Sequence, residues 1–364
     1  MDILGIDHVE FYVGDAMAAA GSLNAAYGFR VYGYGGPDTG LPGQRSVLVG
    51  QGDIRILLTS GLHKDHPASQ FVARHGDGVA VTALRTGSAA AAYAEAVAAG
   101  AKGVREPRAW ENDEASVVTA EIAGFGDVVY RLVERRGSDA VFQPGVITLE
   151  AGAADQADDD LLRVIDHLAV CVPAGTLDST IAFHEQVLGF ALIFQEYIEL
   201  GSQGMASKVV QDPSGGVTLT ILQPDISRQA GQIDDFLAWH DGPGVQHLAF
   251  LTDDIARAVA TCTDRGVEFT VTPASYYDML AARLGATDIP AEALRPLGIL
   301  ADRDHWGQMY QIFAKSTHIR RTYFVELIDR HGARTFGTKN IPALYAAKER
   351  ELAEVRDAAG TPRA

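Results

Sequence analysis

The sequence predicts an α+β fold: four tandem βαβββ modules forming two open-barrel domains, followed by a C-terminal helix. An internal repeat is the first reason for this reading. Ile6-Asp7-His8-Val9-Glu10-Phe11-Tyr12-Val13, a helical stretch through Ala16–Tyr27 and Gly28-Phe29-Arg30-Val31-Tyr32 open the chain. About 160 residues later they return as Ile165-Asp166-His167-Leu168-Ala169-Val170-Cys171-Val172, a helical stretch through Ser179–Leu188 and Gly189-Phe190-Ala191-Leu192-Ile193. The second reason is a further echo inside each copy. Gly76–Ala83 matches Gly242–Ala249, and a helical stretch follows each, Ser88–Ala99 or Asp253–Arg265. Third, the polar, Ala- and Asp-rich segment Ala151–Asp160 has the composition of a linker. The predicted organisation is therefore an N-terminal domain at 1–150, a linker at 151–160, a C-terminal domain at 161–335 and a terminal helix from 336 to 364.

The strands are short apolar runs rich in Val, Ile and aromatic residues, bounded by glycine. Each half ends on a strand after a glycine, Phe125–Val133 and Gly307–Phe313, which aligns Gln311 with Tyr130. Residues 305–326 read as two strands joined by a polar turn, the second carrying Glu326. Tyr276–Leu297 lengthens the fourth module and is expected to cross the open side of its sheet. In Asn340–Arg356, Leu344, Tyr345, Ala347 and Leu352 form a stripe, so an amphipathic helix is predicted, with Asn340 as N-cap and Pro342 in its first turn.

A chain of 364 residues has room for two cores, and 47% hydrophobic with 21% charged residues is ordinary for a globular protein. The net charge of −17 argues against nucleic acid, which is bound through clustered Lys and Arg. Arg135-Arg136 and Arg320-Arg321 are only pairs and read as solvated strand ends. No apolar run approaches the ~20 residues of a membrane span. Met1–Gly5 has no basic segment ahead of an apolar one, so a cytoplasmic protein is expected. Cys171 and Cys262 are too few for a disulfide framework and read as small buried hydrophobes. Assembly as a homodimer stays open.

Three polar residues are anomalous in their strands. Glu326 sits in Thr322-Tyr323-Phe324-Val325-Glu326-Leu327-Ile328, and a carboxylate buried there needs a cation or donors. His167 and His247 each stand alone in an apolar run. Taken singly, each has a bland explanation: a core histidine bonded to a carbonyl, or an exposed strand end. Together, two imidazoles and a carboxylate from three strands make the set that leaves iron(II) three open positions, although zinc accepts the same donors. Separations of 80 and 79 residues exclude a local motif, so the sheet must bring the three together. Amides and aromatics, Gln232, Gln246, Gln311, Phe313 and Phe336, are expected around them. In the first half Val81 holds the position of His247, so His8, which matches His167, is expected to be structural and that half to carry no metal.

Gly244-Val245-Gln246-His247-Leu248-Ala249, Pro273-Ala274-Ser275-Tyr276-Tyr277, Leu300-Ala301-Asp302, Gln311-Ile312-Phe313 with Lys315, Phe324-Val325-Glu326-Leu327-Ile328 with Arg330, and Phe336-Gly337 with Asn340 carry a family resemblance. Over nearly its whole length the chain resembles the 4-hydroxyphenylpyruvate dioxygenases and the related 4-hydroxymandelate synthases of the vicinal oxygen chelate (glyoxalase-like) superfamily. The resemblance implies that His167, His247 and Glu326 bind Fe(II), that Gln311, Gln232 and Phe336 act in catalysis, and that Ser207 also lines the substrate pocket. It further implies an aryl-pyruvate substrate that chelates the metal through its own keto acid, O₂ as co-substrate, and release of CO₂, with no external 2-oxoglutarate.

Departures from the dioxygenase pattern look like the mandelate synthases. Asn340-Ile341 stands where the dioxygenases have Asn-Phe, Leu222-Gln223-Pro224 where they have Asn-Glu-Pro, and Thr220 where they commonly have proline. Thr220, Leu222, Phe313, Asn340 and Ile341 are therefore expected to shape the pocket. Benzylic hydroxylation to 4-hydroxymandelate is the implied outcome, and homogentisate formation the alternative. Two other readings compete. An extradiol dioxygenase usually keeps a His or Tyr near the metal, and a non-catalytic binding module of this fold loses metal ligands.

Overall fold

The computed structural model describes residues 1–138, 141–149, 160–337, 339–340 and 342–344. Each predicted module is present. The first comprises β1 (Ile3–Tyr12), α1 (Ala16–Tyr27), β2 (Arg30–Gly35), β3 (Gln44–Gln51) and β4 (Ile54–Gly61), and is followed by α2 (Pro67–His75). The second comprises β5 (Gly78–Thr86), α3 (Ala89–Ala98), β6 (Gly103–Glu111), β7 (Ala115–Ala123) and β8 (Val129–Gly137), with a short β9 (Thr148–Leu149) beyond it. The third runs β10 (Ile165–Cys171), α4 (Leu177–Phe183), β11 (Ala191–Leu200), β12 (Gln203–Gln211) and β13 (Thr218–Pro224), followed by α5 (Gln232–His240). The fourth opens with β14 (Gly244–Leu251) and α6 (Ile255–Asp264). The inserted α7 (Ala274–Asp278), α8 (Leu280–Leu284) and α9 (Ala291–Leu294) follow, then β15 (Leu300–Arg303), β16 (Gln308–Phe313) and β17 (Phe324–His331).

Local chemistry sets these boundaries. Asp15 caps α1 by accepting from the backbone N–H of Met17 and Ala18, and Gly28 ends it at φ +81, a conformation cheap only for glycine. Ser88 and Asp254 cap α3 and α6 in the same way.

The strand orders are β6-β7-β8-β5-β1-β4-β3-β2-β9 and β11-β12-β13-β10-β14-β17-β16-β15. Apart from β9, the second is the first read from the other end, as the repeat requires. In each sheet the two modules meet through their first strands, β1 against β5 and β10 against β14, both antiparallel. The halves pack through a shared apolar core in which Phe29 meets Phe250, and Tyr130 Oη lies 2.6 Å from His184 Nε2. Gln51 Oε1 accepts from the backbone N–H of Leu161 and Leu162, while Asp160 binds Arg30 at 2.8 Å and the Gly52 N–H. The end of the predicted linker is thus fastened to the first half, and residues 151–159 lie outside the described ones. Cys171 and Cys262 are free and buried. Among the described residues no helix is long and apolar enough to cross a membrane.

The structure corrects four expectations, the first through strand register. His8 faces Ala83 as His167 faces Ala249, and Ala83 pairs with Arg131 as Ala249 pairs with Glu326. Carried onward, Gln311 is the counterpart of Thr119 and not of Tyr130, because β8 matches β17 and β16 matches β7. Residues 276–297 do not cross the open side. The Tyr276 and Tyr277 hydroxyls bond the backbone of Ala301 and Ile299, tying this insertion to the edge at β15. Asn340 is not an N-cap, since it already lies within the helical turn and its Oδ1 accepts from Tyr276 at 2.7 Å and Arg283 at 3.0 Å. Arg135 is not solvated, because it clasps Asp7 at 2.6 Å and lies over Phe142.

In the first half, the place of Glu326 is thus taken by Arg131. Its guanidinium lies 2.7 Å from Glu10, 2.8 Å from Glu121 and 3.3 Å from His8 Nε2, and all these side chains are largely buried. Two carboxylates meet this buried cation at the register position that Glu326 holds in the second half, and Arg105 adds an exposed contact to Glu121. Arg131→Ala would leave Glu10 without a cation and Glu121 with only the exposed Arg105, 3.1 Å away, and is expected to cost roughly 3–5 kcal/mol of stability, read as a fall in denaturant midpoint. His8→Ala is expected to leave metal content and turnover of the full chain near wild type. A loss of bound metal in that variant would refute the register argument.

Candidate metal centre and its cavity

β10, β14 and β17 lie side by side, and Ala249 on the middle strand pairs with both His167 and Glu326. His247 is two residues earlier on β14, hence on the same face. The small Ala249 side chain leaves space between its neighbours, and the three polar groups converge over it. His167 Nε2 lies 3.4 Å and His247 Nε2 3.2 Å from the same Glu326 oxygen, with one donor atom from each residue within 4.8 Å of the others. The three residues singled out on separate strands therefore form one cluster.

The flanking groups aim the imidazoles. His167 Nδ1 donates to Asp166 at 2.8 Å, and Arg330 holds Asp166 through two bonds of 2.6 and 2.8 Å. His247 Nδ1 is 3.4 Å from Gln246 Oε1, and its ring stacks on Phe324 with centroids 4.7 Å apart. Each Nδ1 is engaged from behind, which leaves each Nε2 facing Glu326, the arrangement typical of metal-binding histidine. Charges follow the geometry. Burial alone would strip the His167 proton, yet Glu326 and Asp166 keep it on up to about 9. Burial lowers His247 below its ordinary value. Burial would raise Glu326, but His167 draws it below the usual carboxylate value. Burial likewise works against an ionised Asp166, and Arg330 with His167 holds it well below that range. The site thus keeps a positive charge beside Glu326, and a metal cation held by two neutral imidazoles and this carboxylate would take the place of that proton. The donor set fits a divalent metal, with no thiolate near it.

Above the donors lies a cavity of about 1120 Å³. Ser207, Thr220 and Leu222 line it from β12 and β13, Gln232 from the start of α5, Gln311 and Phe313 from β16, and Phe336 from beyond β17. Phe336 meets His167 edge-on at 5.2 Å. Gln246 also lines it, so the expected ring of amides and aromatics is assembled. Thr220 Oγ1 and Gln311 Oε1 are buried without a hydrogen-bond partner among the described residues, and both belong to the lining. Native proteins seldom leave such atoms unpaired, so these two mark where a ligand's polar groups would bind. Gly337 is held at φ +66, and a Cβ there would strike the Gln311 amide, so the backbone beyond Phe336 crosses directly over that side chain.

Two expected pocket residues are placed differently. Asn340 is absent from the lining because Tyr276 and Arg283 occupy its carbonyl, and Ile341 lies outside the described residues. Leu344, from the predicted apolar stripe, joins a wall completed by Ile198, Met205 and Ile233, three residues the sequence does not mark because ordinary apolar residues in strands and helices carry no distinguishing signal. Asp166 and Arg330 were also missed, although the repeat held the clue. Asp7, His8, Arg135 and Phe142 reproduce Asp166, His167, Arg330 and Phe336 contact for contact.

Residues 1–144 match the family described as hydroxyphenylpyruvate dioxygenase, N-terminal, and residues 164–288 the glyoxalase/bleomycin resistance protein/dioxygenase superfamily. The chain is 34% identical to a 4-hydroxyphenylpyruvate dioxygenase of Aspergillus fumigatus, over 96% of this chain and 93% of that protein. It is 30% identical to the enzyme of the same name from Yarrowia lipolytica, over 96% and 92%. Among solved structures, a triple mutant of 4-hydroxymandelate synthase from Streptomyces coelicolor is 40% identical with a TM-score of 0.87, covering 97% of this chain and all of that one. Paired modules that gather two histidines and a glutamate on one sheet, together with these likenesses along the full length, place the chain in the 4-hydroxyphenylpyruvate dioxygenase family, on the vicinal oxygen chelate fold.

Proposed function

We propose that the chain is an iron(II) enzyme that oxidatively decarboxylates 4-hydroxyphenylpyruvate with O₂ and hydroxylates its benzylic carbon, giving 4-hydroxymandelate and CO₂. His167, His247 and Glu326 would hold the iron, with Asp166 and Gln246 fixing the two rings. Bound iron supplies the coordination positions for the keto acid and O₂ and the redox chemistry of the reaction. The protein's part is orientation and exclusion of water. Phe313 and Phe336 offer apolar surface to the aryl ring, while Gln311, Gln232, Thr220 and Ser207 offer polar groups to its hydroxyl and to the keto acid. The segment from Phe336 into the predicted terminal helix, most of which lies outside the described residues, would close the cavity during turnover.

The choice of benzylic carbon rests on one observation: Thr220 and Leu222, where the dioxygenases have proline and asparagine, both line the cavity. An apolar Leu222 cannot anchor a ring substituent by hydrogen bonding as asparagine would, so the ring is free to turn its side chain toward the metal. The 40% likeness to the mandelate synthase structure agrees with this reading, whereas the names of the curated relatives favour homogentisate formation. Neither a third histidine nor a tyrosine lines the cavity among the described residues, which weighs against extradiol chemistry, and retention of all three donors weighs against a non-catalytic module.

Glu326→Ala is expected to abolish iron binding and turnover while the chain still folds, and stoichiometric iron with normal activity in that variant would remove the assignment. Incubation with 4-hydroxyphenylpyruvate, iron(II) and O₂ is expected to yield mainly 4-hydroxymandelate. Leu222→Asn combined with Ile341→Phe should divert part of the flux to homogentisate, since ~1.4 kcal/mol between competing barriers already changes their ratio tenfold. Homogentisate as the main wild-type product would select the ring-hydroxylating reading instead. Ending the chain before Phe336 is expected to let O₂ consumption outrun product formation, and unchanged coupling would confine the terminal segment to packing.

A further inference from the structure

The loop between β16 and β17 is fastened to the opposite half of the molecule. His318 Nδ1 lies 3.1 Å from the Asp77 carbonyl oxygen, and Arg320 donates to the carbonyls of Ala73, at 3.1 Å, and Arg74. Ser316 Oγ closes the loop by donating to the Tyr323 carbonyl at 2.6 Å. Within this frame Arg321 adopts φ +56, left-handed backbone that a non-glycine residue seldom takes. Its N–H donates to the His318 carbonyl, and its side chain is exposed while also lining the metal cavity, which places it at the mouth.

The charges around that mouth single out Arg321. Lys315, the other Lys or Arg of the lining, is paired with Glu268 at 2.8 Å. Arg321 has no hydrogen-bond or ion-pair partner for its side chain among the described residues. The protein as a whole carries −17, so an anion approaching it meets repulsion except where a cation is presented. Backbone strain kept at an unpaired cation on the rim of a reactive cavity is the pattern expected of a functional position.

We propose that Arg321 captures the carboxylate of the arylpyruvate at the cavity mouth and delivers the anion toward the metal donors. The substrate class rests on the function proposed above, whereas the assignment of Arg321 rests on the loop geometry. It is a binding residue and takes no part in bond making.

The test uses the iron-loaded full chain with 4-hydroxyphenylpyruvate, comparing Arg321→Gln, Arg321→Glu and Arg321→Gly at low and high KCl. Arg321→Gln is expected to raise KM by roughly three- to tenfold with kcat little changed, and Arg321→Glu to raise it further. Both differences should shrink in high salt, where exposed charges are screened. Arg321→Gly should show the KM defect while melting no lower than wild type, because glycine tolerates the left-handed backbone. KM values within about twofold of wild type in all three variants would overturn the proposal, as would a loss of kcat that tracks a lower melting temperature and ignores salt. A wild-type chain inert to arylpyruvates would remove the proposed function and this inference with it, whereas an active wild type indifferent to Arg321 would remove the inference alone.

Discussion

A buried carboxylate needs a positive charge within reach, and this constraint organises both sheets at the same point. In the second half the carboxylate is Glu326, and the charge beside it is a proton held on His167 or a metal that displaces it. In the first half the register position of Glu326 belongs to Arg131, a permanent cation, and the acids come from the adjacent β7 as Glu121 and from β1, beyond β5, as Glu10. A guanidinium saturated by two carboxylates has nothing left to offer a metal or an anion. One scaffold thus holds charge in two ways: one locked by covalent structure, the other exchangeable and therefore open to chemistry.

The scaffold behind the charge is common to both halves. An aspartate before the first histidine clasps an arginine on the last strand, which in turn lies over a phenylalanine beyond it, Asp7–Arg135–Phe142 and Asp166–Arg330–Phe336. The clasp fixes an imidazole whether or not a metal is bound in front of it. In the second half Arg330 also donates to the carbonyls of Ala333 and Thr335. One side chain thereby joins the orientation of His167 to the path of the backbone that closes over Gln311.

What could be read from the sequence followed from residue types out of place. His167, His247 and Glu326 stood out because each interrupts an apolar strand, and the repeat showed that the interruptions belong to one half. The partnerships of ordinary residues could not be read. Arg131 looks like any strand arginine until pairing sets it against Ala83, and Arg135 looked like half of a solvated pair. The alignment of Gln311 with Tyr130 failed because glycine-led strands recur in each module, so composition cannot tell the penultimate strand from the last. Asn340 carries a strong capping signal, yet tertiary contacts with Tyr276 and Arg283 took its side chain first.

Under the proposed function, cavity shape would then decide which outcome the shared chemistry reaches. The donors, the clasp behind His167 and the aromatic wall of Phe313 and Phe336 would constrain any keto acid in the same manner, so they would not by themselves separate attack on a ring from attack on the carbon beside it. That choice would fall to lining positions away from the three donors. On β13, alternate residues Thr220 and Leu222 both face the cavity, so two substitutions two residues apart redraw one wall without disturbing the strand pairing that holds the metal donors. Because Leu222 pairs with Cys171 and Ser207 through backbone bonds indifferent to side chain, this wall can change while the register of β10, and with it His167, stays fixed.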